Sequence, residues 1–90
     1  MELFVKTGMA VISMAGHDKG KMFIVVKCDK DRVWLSDGKL RTIADPKKKN
    51  VKHIQPVKKI LLTEDGLTDQ EIRKTLKAFA ERKHECLKQM

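Results

Sequence analysis

Gly8-Met9-Ala10-Val11-Ile12-Ser13-Met14 leads through Gly16-His17-Asp18-Lys19-Gly20-Lys21 into Met22-Phe23-Ile24-Val25-Val26. Two apolar runs are joined here by a short polar connector with a glycine near each end. The second run is β-branched and aromatic, the composition that suits a pleated, buried surface. Both runs read as short strands, separated by a turn. This pair of strands points to a mainly β fold.

Downstream, Asp29-Lys30-Asp31 breaks the second strand and Val33-Trp34-Leu35 begins a third. Asp37-Gly38 is a strong hairpin signal of the type I′ kind, whose central residues both need φ > 0. The returning strand is predicted at Leu40-Arg41-Thr42-Ile43 and ends at Asp45-Pro46. Lys47-Lys48-Lys49 then reads as a loop, and Val51-Lys52-His53-Ile54 as a short fifth strand. Residues 57–62 fit either an extension of that strand or a linker packed on it. The reading is mainly β: a small five-stranded barrel, whose closure would remove exposed strand edges.

The period changes in the last third. Thr68-Asp69-Gln70-Glu71 is a capping box, with Leu67 and Ile72 spaced for a hydrophobic staple. Ile72, Leu76, Phe79, Ala80 and Leu87 fall on one helical face, predicting an amphipathic helix over 69–86. The chain therefore divides into a barrel, 1–60, and a linker with a C-terminal helix, 61–90.

Charge separates the segments further. The 90 residues carry 20 Lys/Arg against 12 Asp/Glu, a net of +8, and 36% of them are charged. Residues 38–59 hold eight of those cations (Lys39, Arg41, Lys47, Lys48, Lys49, Lys52, Lys58, Lys59) against Asp45 alone. Residues 60–90 carry six of each sign and cancel. So local a positive field points to a polyanion, nucleic acid before membrane. No apolar run approaches the ~20 residues that span a bilayer, and Met1–Lys6 lacks the pattern of a secretory signal. Cys28 and Cys86 read as reduced thiols of a cytoplasmic protein.

The segment from Gly8 to Lys27 resembles the KOW motif, a glycine-centred hairpin of ribosomal proteins and transcription elongation factors. The likeness continues through Ser36-Asp37-Gly38-Lys39-Leu40-Arg41 and Pro46-Lys47-Lys48-Lys49 to Lys52-His53-Ile54-Gln55. Over residues 8–56 the chain is similar to small bacterial KOW-domain RNA-binding proteins, relatives of a large-subunit ribosomal protein of archaea and eukaryotes. The resemblance implies an SH3-like barrel and RNA binding, with Gly16 and Gly20 as the structural glycines of the motif.

The residues name their own candidates. Lys19 and Lys21 are either a solvated loop tip or phosphate contacts. Lys47, Lys48 and Lys49, near Lys39 and Arg41, have only Asp45 as a neighbouring acid in sequence and are assigned to phosphate. Lys52 and His53 would point to opposite faces of a regular strand, one towards RNA and one inward. Trp34 is either the ledge for the C-terminal helix or a surface on which a base stacks. With one such residue and no tyrosine, recognition through phosphates and the shape of folded RNA fits better than base-by-base reading.

Parts for catalysis are missing from the pattern. Ser13 and Ser36 lack a G-x-S-x-G setting, no GxxxxGK[ST] occurs, and neither cysteine has a nucleophile signature. His17, His53 and the tight His84-Glu85-Cys86 do not match zinc spacings. The expectation is a non-catalytic RNA-binding protein acting on ribosomal RNA or the ribosome, with no cofactor, metal, small-molecule substrate or membrane. Its rivals are a protein-docking module, using the barrel or the C-terminal helix, and nonspecific binding of duplex DNA.

Overall fold

The β1–β2 hairpin forms where the apolar runs predict it, with β1 at Met9–Ser13 and β2 at Met22–Asp29. The structure, a computed structural model, describes residues 5–63 and 67–78, with the backbone alone for 58–61. Three further strands follow, β3 (Arg32–Ser36), β4 (Lys47–Asn50) and β5 (Ile54–Leu61). All pair antiparallel, in the order β4-β3-β2-β1-β5, as one curled sheet. Pro56 has no N–H to give a ladder, and it sits on the edge strand β5 opposite Val11, where only one side is paired.

Alternation of side chains across the strands divides the core. The inner face carries Val11, Phe23, Val25, Val33, Leu35 and Ile54, all buried, with Val5 and Val51 packed against them. The outer face carries Ala10 and Ile24 under helix α1, which covers 69–78 of the described residues. Ile72 of α1 is fully buried on that pair, contributing about 1.5–3 kcal/mol by burial. The Thr68 half of the capping box forms as predicted: Glu71 N–H donates to Thr68 Oγ1 at 3.1 Å, and Leu67 packs in the cluster that holds Ile72. Phe79, Ala80, Leu87 and Cys86 lie outside the described residues.

Three sequence expectations are corrected. Leu40-Arg41-Thr42-Ile43 is not a strand, because side chains of the preceding turn and of α1 take up its backbone groups. Asp37 Oδ1 accepts from the N–H of Lys39 (2.8 Å) and of Arg41 (3.0 Å). Ser36 Oγ donates to the Arg41 carbonyl at 2.6 Å, and Ile43 N–H donates to Asp69 Oδ1 at 2.9 Å. Such side-chain bonds compete directly with a ladder. The turn is not type I′ either, since Gly38 has φ +76° while no non-glycine residue has positive φ among the described residues.

The lysine run is the second correction. It is not a loop but edge strand β4, with Lys47, Lys48 and Lys49 opposite Leu35, Trp34 and Val33. Lysines on an edge strand also discourage pairing with another sheet. Third, Val51–His53 is a 3-10 turn rather than a strand, capped by Asn50 Oδ1, which accepts from Lys52 N–H at 2.9 Å. Strand β5 starts only after it and absorbs residues 57–61, which the sequence left between strand and linker.

Candidate nucleic-acid interface

The β1–β2 connector is built around a carboxylate. Gly16 and Gly20 both take positive φ, +84° and +90°, a region costly for residues with a Cβ. Space around Gly20 is open, so left-handed backbone, rather than close approach, is what its turn requires. The turn carries Asp18 inward until the residue is 6% exposed. There Ser13 Oγ donates to Asp18 Oδ1 at 2.7 Å.

Two of the three lysines of β4 converge on that carboxylate. Lys47 and Lys49 stand on the inner side of the strand, opposite Leu35 and Val33. Lys47 Nζ lies 2.6 Å from Asp18 Oδ2, and Lys49 Nζ lies 3.3 Å from Oδ1. Lys49 Nζ also donates to the Ala15 carbonyl at 3.0 Å. Burial by itself would raise the pKa of Asp18, but hydrogen bonds from Lys47, Ser13 and Lys49 overcome it. The carboxyl is held far below the usual carboxylate range. The sequence count of a single acid within 38–59 therefore missed a neutralising group from another segment.

The other sequence-assigned cations remain exposed and lie apart from that carboxylate. Lys21 and Lys39 line an open groove of ≈ 380 Å³ between the loops and α1, with Asp37, Arg73 and Lys77 among the other walls. Lys21 also lines an adjoining cavity of ≈ 90 Å³ with Arg41, Lys47 and the apolar tip Leu40. Lys19 is exposed in the β1–β2 connector. Lys52 and His53 are both exposed on the 3-10 turn, so neither points inward as the strand reading required. The His53 carbonyl is nonetheless used, accepting from Met14 N–H at 2.8 Å.

Lys48 goes elsewhere. It projects from the outer side of β4 and stands over the Trp34 ring, 5.7 Å from its centroid.

Arg73 and Lys77 are groove residues that the sequence reading passed over by treating the C-terminal third as electroneutral. Asp69, Arg73 and Lys77 recur every four residues and so share one helical face; that spacing was the available signal. Arg73 Nη1 donates to the Gly38 carbonyl at 2.6 Å, while Asp69 holds Ile43 N–H. The helix thereby fixes the loop that presents Lys39. A guanidinium has five donors, so the bond to Gly38 leaves others for a ligand in the groove.

This arrangement concentrates ammonium and guanidinium groups from two loops and a helix on one opening, chemistry suited to phosphate oxygens. The chain is similar to a large-subunit ribosomal protein. It is 26% identical over 73 residues to large ribosomal subunit protein eL14 of Staphylothermus marinus, covering 80% of this chain and 76% of that protein. No protein-family model matches. Among the described residues, no group of three or more His, Cys, Asp or Glu could hold a metal ion. No helix there is long and apolar enough to cross a membrane.

Proposed function

We propose that this chain is a non-catalytic, cytoplasmic RNA-binding protein that associates with the large ribosomal subunit through phosphate and shape contacts. One observation carries the reading: Lys21, Lys39, Arg73 and Lys77 open on a single groove, with Arg41 in the adjoining cavity. Asp37 shares that groove, but its Oδ1 is engaged by the amides of Lys39 and Arg41. The distant similarity to a large-subunit protein supports the choice of ribosomal RNA among polyanions. In this reading the sheet is an SH3-like KOW barrel, with Lys19, Lys48, Lys52 and His53 as outlying contacts. Lys47 and Lys49 act chiefly as architecture. The division into barrel (1–60) and linker with helix (61–90) is one of chain order, since both parts line the groove.

Sedimentation of cell extracts through a gradient at low and high salt, with immunodetection, tests this. The protein should travel with the large subunit at low salt and leave it at high salt. Recovery only at the top of the gradient at low salt, or only with RNA polymerase, would overturn the ribosomal reading and favour protein docking.

A further inference from the structure

We infer that Trp34 is a stacking site for one unpaired RNA base, with Lys27 and Lys48 taking the phosphates on either side of it. The inference rests on the RNA-binding reading above and adds a site that phosphate contact alone does not require. Trp34 is the residue that the sequence left between helix ledge and base platform. Helix α1 seats Ile72 on Ala10 and Ile24, and Trp34 is not part of that cluster. The residue is instead partly buried on the outer face of β3.

Two separate features aim lysines at it. Strand alternation places Lys48 of β4 directly opposite Trp34 on one side. On the other side, regular alternation in β2 would put Lys27 on the inner face with Phe23 and Val25. A register shift between Val25 and Lys27 prevents that. Val26 still joins the outer cluster, while Lys27 turns out opposite Trp34, its Nζ 4.8 Å from the ring centroid. Bulges are a recognised means of re-aiming a side chain.

The result is an aromatic face flanked by two ammonium groups, both within 6 Å of the ring. Their mutual repulsion is relieved when an anion enters. A nucleotide supplies what the site lacks: a π-face to lie on the indole, and phosphates to draw the flexible lysine heads off the ring. Stacking needs a base free of its partner, so the fitting ligand is an unpaired nucleotide in a loop or bulge of folded RNA.

Trp34 is the chain's one tryptophan, and there is no tyrosine, so indole emission reports this site alone. The full chain is titrated with a labelled RNA hairpin bearing an adenine-rich loop, and with a fully paired duplex of equal length. Label anisotropy and Trp34 emission are followed together. The hairpin should quench Trp34 saturably while the duplex binds without doing so. Trp34→Ala should weaken hairpin binding roughly tenfold and leave duplex binding unchanged, and Trp34→Phe should retain most of the affinity. Hairpin binding without a change in emission, or equal quenching by the duplex, overturns the stacking site and leaves RNA binding standing. No anisotropy change with either RNA overturns both.

Discussion

Asp18 decides which lysines are available to a ligand. Its carboxylate, buried beside Ser13, holds Lys47 and Lys49, so a tract of three like charges divides by alternation into two anchors and one head over the Trp34 ring. Asp18→Asn keeps an acceptor but loses the charge. It should cost about 1.5–3 kcal/mol, the range for hydrogen bonds to charged groups, read from urea unfolding at pH 7. The pH dependence has a definite sign. A carboxyl whose folded pKa is depressed adds stability that is complete above its unfolded pKa, about 3.9. That contribution is lost as pH falls towards the folded value, so the wild type's advantage over Asp18→Asn should be constant down to about pH 5 and shrink below pH 4. A gap that does not change with pH would mean that the ion pairs add nothing.

The same geometry separates substitutions within the tract. Lys48→Glu, on an exposed side chain, should weaken RNA binding while altering stability by less than about 0.5 kcal/mol. Lys49→Glu sets a carboxylate against Asp18 and should cost about 3 kcal/mol. Equal unfolding midpoints for the two variants would contradict the division. None of this was legible at Asp18 in the sequence, where it reads as a polar turn residue, because its partners arrive from a distant strand.

At the scale of elements, what could be read was what local chemistry dictates. The β1–β2 hairpin follows from two apolar runs and left-handed glycines, and the start of α1 from Thr68 and Glu71. Strand β4 was illegible because lysine has little intrinsic preference for a strand; pairing to β3 and the pull of Asp18 override propensity. The reverse happened at 40–43, predicted as a returning strand, where Asp37 and Asp69 took the amides of Arg41 and Ile43 and Ser36 took the Arg41 carbonyl. Thr68→Ala should lower stability by about 1 kcal/mol through loss of the N-cap acceptor, seen as a shifted urea midpoint. RNA affinity should fall with it, because α1 carries Arg73 and Lys77. Unchanged affinity would confine the contacts to sheet and loops. Gly38→Ala is harsher: φ +76° disfavours any side chain, and a Cβ would run into the Asp69 carbonyl and Arg73 of α1. The left-handed conformation alone costs roughly 1–2 kcal/mol, and the substitution should lower the melting temperature more than Thr68→Ala does. A smaller shift would show that the loop and α1 are not tightly docked.

For the whole molecule, the net charge of +8 says less than its distribution. Cations adjacent in sequence are dispersed to the Asp18 anchor, the Trp34 ring and the 3-10 turn. Cations remote in sequence, Lys21, Lys39, Arg73 and Lys77, are gathered on one groove. Charge counting could identify the class of partner but not the surface, because the surface is assembled by the outer-face packing of Ile72 and the bond from Arg73 to Gly38. Binding of RNA phosphates at this surface is read from the affinity for a folded ribosomal RNA fragment over a range of salt concentrations. Four to six phosphate contacts predict a fall of log K with log salt at a slope of roughly −3 to −5, reduced by about 1 in Arg73→Ala. A flat salt response, or a slope unchanged in that variant, would contradict the account.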